Sequence, residues 1–204
     1  MNAPQEIEGK WLVHDLKRLE HQMLSMGAVC VQERTYENNL RFDTAEGSLS
    51  KDFKVLRLRE DTDFRLTFKG GADVLSGVSR RTEIEFNVSD FKLAKQFLEA
   101  LGYSVFFRYE KYRSIYSISR CHVMLDELPY GHFVEIEGNS AKEIQHLSEQ
   151  LGLNWDMRVM NSYTGLFSVY LNITGRKINN LTFKNFEGIS VSPKILNLNY
   201  ADSE

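Results

Sequence analysis

The chain has 204 residues, of which 42% are apolar and 26% charged, and a formal net charge of −3. That length suits one domain with an appendage, and the balanced charge argues against a general nucleic-acid binder, which carries a basic surplus. No run approaches the roughly 18 apolar residues that span a bilayer, so no membrane segment is expected. The first residues, MNAPQEIEGKW, lack a basic leader followed by an apolar stretch, which makes the cytoplasm the default location.

Two-residue periodicity dominates the first two-thirds of the chain. Residues 4–13 read as a strand, and residues 14–26 as a helix placing Leu16, Leu19, Met23 and Met26 on one face before Gly27. An extended segment at 28–44 precedes strands at 53–60, 64–70 and 78–88, with turns at Asp61–Asp63 and in the loop beginning at Gly70–Gly71. Ser89 is the expected cap of a second helix whose apolar stripe is Phe91, Ala94, Phe97, Leu98 and Leu101. Strands follow at 103–119, 121–127 and 132–138. Ser140 and Glu143 form a capping-box pattern for a third helix carrying Ile144, Leu147 and Leu151, and residues 160–172 read as a fourth. The domain is placed at 1–172. Residues 173–204 form an Asn-rich extension expected to dock through anchors such as Phe183 and Phe186.

The strands alternate apolar residues with charged ones. Glu6, Glu8 and Lys10 share one face, as do Arg57 and Arg59, Arg65, Thr67 and Lys69, Arg81, Glu83 and Glu85, Lys111 and Arg113, and Glu135 and Glu137. Asp126 follows Leu125 on a later strand. A single such strand fits a sheet with one wet face. Taken together, the charged faces are almost purely Arg, Lys, Glu and Asp, and the helices need an apolar surface to cover. This predicts an α+β fold: a closed eight-stranded antiparallel β-barrel with helices packed on the outside and charges within. Such a lining is tolerable only if its charges are paired, hydrated or bound to ligand. A triphosphate with divalent cations suits it, because carboxylates take hard ions such as Mg²⁺ or Mn²⁺ and guanidinium forks take phosphate oxygens.

Seven motifs carry a resemblance: EIEGK at 6–10, VLRLRE at 55–60, LTFKG at 66–70, SRRTEIEF at 79–86, YEKYRSIY at 109–116, VMLDELPYGHFVEIEG at 123–138 and SYTGLF at 162–167. In this order they resemble the CYTH superfamily, the triphosphate tunnel metalloenzymes, and the block LDELPYGHFVEIEG resembles its class IV adenylyl cyclase branch. The resemblance implies a tunnel that processes ATP, tripolyphosphate or thiamine triphosphate with Mg²⁺ or Mn²⁺. It implies phosphate-binding roles for Lys10, Arg57, Arg59, Lys69, Arg81, Lys111 and Arg113. It implies metal-binding or cation-organising roles for Glu6, Glu8, Glu83, Glu85, Asp126, Glu135 and Glu137. Glu8, Lys10, Lys69 and Arg113 are the expected catalytic set.

Conversion of ATP to cyclic AMP and pyrophosphate is the first activity implied. A triphosphate hydrolase and a non-catalytic nucleotide or polyphosphate binder are the alternatives. The family usually has an Asp and an aromatic residue where this chain has Asn39 and Arg41, which leaves the substrate's non-phosphate end open. Closing one tunnel mouth or making a subunit contact in a homodimer are the roles open to the extension. No histidine has metal-ligand spacing, although His132 adjoins the last acidic strand.

Overall fold

The structure, a computed structural model, describes the backbone of residues 5–70, 73–75 and 78–202, and side chains over 7–70 and 81–202. Among these the chain runs β1 (Gln5–Val13), α1 (Leu16–Ser25), β2 (Val29–Asp43), α2 (Ser48–Lys51), β3 (Val55–Glu60), β4 (Phe64–Lys69), β5 (Asp73–Leu75) and β6 (Val78–Val88). There follow α3 (Phe91–Ala100), β7 (Ser104–Ile118), β8 (Cys121–Leu128), β9 (Gly131–Glu137), α4 (Ala141–Gln150) and α5 (Tyr163–Thr174). No described helix is long and apolar enough to cross a membrane.

One antiparallel sheet holds all the strands, in the order β1-β9-β8-β7-β2-β3-β4-β6-β5. β1 pairs with β9 from Glu8 to Val13, and also with β6, where Gln5, Glu6, Ile7 and Glu8 face Thr82, Arg81, Arg80 and Ser79. The expected sheet of eight antiparallel strands is therefore present, with the short β5 added beside β6. A closed eight-stranded barrel was expected; what is present is an open strand order from β1 to β5 in which the first strand, β1, also pairs over four residues with the penultimate strand, β6.

Alternation sorts the side chains as period two requires. Trp11, Val13, Tyr116, Val123, Leu125, Val134 and Ile136 point outward into a buried cluster under Leu19 and Met23 of α1 and Ile144, Leu147 and Leu151 of α4. Gly9 makes this approach possible: a Cβ there would sit 2.6 Å from the Trp11 ring and 3.2 Å from Ile144. A second outer cluster joins Leu40, Phe42, Leu56 and Leu58 to Leu98 of α3. In α3 only Phe91, Ala94 and Leu98 turn inward; Phe97 and Leu101 of the expected stripe are exposed.

Asp90, not Ser89, caps α3 by accepting from the Leu93 amide, and Ser140 caps α4 through the Glu143 amide. The sequence reading missed α2, a single turn held by Asp43, whose carboxylate accepts from the Leu49 and Ser50 amides at 2.8 and 2.9 Å.

α5 departs from the expectation that helices pack outside. Its Tyr163, Leu166, Phe167 and Tyr170 are buried against Leu12, Phe107, Tyr109, Leu128 and Phe133. Those strand residues share faces with Lys10, Lys111, Arg113, Asp126 and Glu135, so α5 fills one end of the sheet's inner side. A helix with four large buried residues needs an apolar socket, and the inward residues turn apolar at that end to supply one.

The extension seals this plug with Leu181, Phe186 and Leu196. Leu181 runs parallel to β7, its amide donating to the Arg108 carbonyl at 3.0 Å and its carbonyl accepting from the Glu110 amide at 2.9 Å. The asparagines serve as backbone partners: the Asn180 side chain accepts from the Arg108 amide at 2.8 Å. At the far end, the Asp202 carboxylate accepts from the His14 and Asp15 amides at 2.7 and 3.2 Å.

Candidate active site

The charged inner faces meet on a cavity of about 470 Å³. Its lining includes ten cations (Lys10, Arg41, Arg57, Arg59, Arg65, Lys69, Arg81, Lys111, Arg113 and Arg158) and five carboxylates (Glu8, Glu83, Glu85, Glu135 and Glu137). The site therefore favours an anion even though the chain as a whole is acidic. Of the residues singled out in the sequence, Asp126 stands behind the lining, and the Glu6 side chain lies outside the described residues.

On the wall formed by β1, β9, β8 and β7, the charges are buried and interlocked. Lys10 Nζ lies 3.1 Å from Glu135 and 4.1 Å from the centre of the Tyr163 ring. Arg113 Nε donates to Asp126 at 2.6 Å, and its Nη2 also reaches Glu135. Lys111 Nζ and Tyr163 Oη donate to the same Asp126 oxygen at 3.0 and 2.7 Å. Asp126 is fully buried, and its oxygens are occupied by these donors.

Burial opposes charge on Glu135, yet Lys10, Arg113 and Lys111 hold its carboxyl well below the usual range. Burial, followed by the Asp126 and Glu135 carboxylates, pushes the Tyr163 phenol well above its own.

The opposite wall, on β3, β4 and β6, is more open. Arg59 reaches Glu85 at 3.1 Å and Glu37 at 3.6 Å, Arg57 reaches Glu85 at 3.4 Å, and Lys69 reaches Glu83 at 3.2 Å. Thr67 Oγ1 donates to Glu85 at 2.7 Å. Glu37 carries no site signal in the sequence. It is 1% exposed on β2 and bridges the walls, 3.5 Å from Lys111. Burial opposes its charge, but Lys111, Arg113 and Arg59 hold it down at about 2.

Tyr109 was also missed as a lining residue, because strand packing explains a tyrosine equally well. Its hydroxyl accepts from Arg57 Nη1 at 3.3 Å. Burial would raise this phenol, but Arg57 and Lys111 draw it below its ordinary value. His132 faces outward, and His122 is the histidine that lines the cavity.

The donor set fits a hard divalent cation. Glu8 of β1 faces Glu137 of β9 directly across the ladder, and both line the cavity. Like charges so placed repel, and a cation beside them, a neighbouring side chain or a metal, relieves that. No group of three or more His, Cys, Asp or Glu side chains among the described residues is arranged to hold a metal. Mg²⁺ commonly uses one or two protein carboxylates plus substrate phosphates, which matches this pair.

The CYTH domain family matches residues 4–154, three-quarters of the sequence and every strand of the sheet. The chain belongs to the CYTH domain family. The adenylate cyclase CyaB of Aeromonas hydrophila is 26% identical over 185 residues, covering 85% of this chain and 94% of that protein.

Two solved structures share the CYTH fold. One, from Vibrio parahaemolyticus and named as a candidate adenylate cyclase, has a TM-score of 0.73 at 23% identity, covering 82% of this chain and 99% of its own. The other is HpAC1 from Hippeastrum, named as a candidate adenylyl cyclase and described as having a dominant triphosphatase activity. It has a TM-score of 0.62 at 18% identity, covering 85% and 97%. CYTH triphosphate tunnel metalloenzymes depend on metal.

Proposed function

We propose that the β1–β6 ladder closes the sheet into a tunnel that binds a triphosphate with Mg²⁺ or Mn²⁺ and breaks one of its phosphorus–oxygen bonds. The observation that carries this reading is the convergence of ten cations and five carboxylates on one cavity of about 470 Å³. Phosphoryl chemistry consists largely of positioning and charge neutralisation, which such a lining supplies without a covalent nucleophile. Lys10, Lys111 and Arg113 would hold phosphate oxygens from one wall, and Arg57, Arg59, Lys69 and Arg81 from the other.

Glu8 and Glu137, with Glu6, would hold the metal, which when bound withdraws charge from the phosphate oxygens. Glu83, Glu85, Glu135 and Asp126 fix the cations in place, since each is engaged by lysine or arginine.

The first reading is a class IV cyclase: the ribose 3′-oxygen attacks the α-phosphorus of ATP, its proton leaves to solvent, and pyrophosphate departs. The similarity to the Aeromonas protein supports it. The second is hydrolysis, with water attacking a terminal phosphorus, and the surplus of lining cations favours a more highly charged substrate. The test is to give the purified protein Mg²⁺ or Mn²⁺ with ATP, tripolyphosphate or thiamine triphosphate and identify the products. Cyclic AMP with pyrophosphate establishes the cyclase, and orthophosphate the hydrolase. No turnover of any of the three would refute both.

A further inference from the structure

Charge compensation in the cavity runs out along β2. Its inward positions read Glu37, Asn39 and Arg41, changing sign within one strand. Glu37 serves Lys111 and Arg59. Asn39 is fully buried, and neither polar atom of its side chain has a partner. Arg41 lines the cavity and lies directly opposite Arg57 across the β2–β3 ladder. Two guanidinium groups in register repel one another.

Among the described residues Arg41 has no carboxylate partner. Its hydrogen bond is from Nη1 to Thr164 Oγ1 at 3.2 Å, and its buried Nε has no acceptor. The nearest acid along the strand, Asp43, is occupied by the Thr44, Leu49 and Ser50 amides and the Ser50 hydroxyl. Thr164 belongs to the first turn of α5, where the helix end adds positive potential. Arg57 is paired with Glu85, so the shortfall lies with Arg41, and a buried donor on such a cation is costly unless an anion completes it.

We propose that Arg41 is a specificity-determining residue that takes the end phosphate which in ATP carries the nucleoside, favouring an unesterified, fully anionic end and disfavouring a cationic one. This rests on the cavity being the triphosphate site. The chemistry separates three probes. Tripolyphosphate ends in a phosphate with an additional negative charge, ATP has a neutral nucleoside ester there, and thiamine triphosphate brings a cationic ring towards Arg41 and Arg57.

The experiment is equilibrium titration of the wild type, Arg41→Gln, Arg41→Lys and Lys69→Ala with each probe in Mg²⁺. The wild type should prefer tripolyphosphate over ATP, and ATP over thiamine triphosphate. Arg41→Gln should lower the tripolyphosphate-to-ATP affinity ratio about tenfold, the scale of one charge-assisted contact, and Arg41→Lys should keep most of it. If Lys69→Ala weakens all three ligands while Arg41→Gln weakens them equally or not at all, the role of Arg41 is overturned and the site stands. If Lys69→Ala has no effect on any of them, the site itself is misplaced and the proposal falls with it.

Discussion

On the wall carried by β1, β9, β8 and β7, Lys10, Lys111 and Arg113 are each no more than 9% exposed and share Asp126 and Glu135. On the wall carried by β3, β4 and β6, Arg59 is equally buried, but Arg57, Lys69 and Glu83 are only partly buried and Glu85 is exposed, and these groups pair at 3.1–3.4 Å. The residue types are the same, but the physical situation is not. Deeply buried charges are tolerable only when every partner is present, so the first wall is part of the folding core. Charges that keep some water can exchange partners at lower cost, so the second wall is better able to release carboxylates in favour of phosphate. One wall is preorganised, and the other is adaptable.

The largest expected effect is on chemistry. Glu8→Gln should lower turnover about a thousandfold while leaving the melting temperature nearly unchanged, as measured by product formation and thermal denaturation. Next comes Asp126→Asn, which leaves Lys111 and Arg113 short of a counter-charge. It should destabilise the fold by about 3–5 kcal/mol in denaturant titration. A comparable loss from Glu85→Gln would erase the contrast between the walls.

Acid should act in the same direction. Glu37 sits at about 2, below its ordinary 4.5, so its contribution is complete above pH 4.5 and drains away as pH falls towards 2. That contribution is on the order of 3 kcal/mol, and Glu37→Gln should flatten this part of the stability-against-pH curve. Lys69→Ala should raise KM for the triphosphate about tenfold with little change in melting temperature, because its wall is the open one. The smallest effect belongs to Phe97→Ser on α3, where an exposed ring is removed; denaturant stability should shift by less than about 0.5 kcal/mol.

The strands were legible because period-two alternation is strict in VLRLRE and TEIEF, and the register then placed Arg57, Arg59, Glu83 and Glu85 on one cavity. The plug was not legible. Tyr163, Phe167 and Tyr170 give helical spacing, but spacing does not say which side of a curved sheet a helix covers, and only the apolar turn at Leu12, Phe107 and Phe133 does. Glu37 was missed for a related reason. Asn38 and Asn39 follow it, and the charged alternation that marked the other strands is broken there. α2 is too short for any period to show; its signal is the capping carboxylate of Asp43.

The most direct measurement is a crystal structure after soaking with tripolyphosphate and Mn²⁺, using the anomalous signal to place the metal. Phosphates should lie between Lys10, Arg113 and Lys69, with manganese beside Glu8 and Glu137. Phosphate and manganese bound only on the outer surface, with Lys10 still closed on Glu135, would contradict that placement.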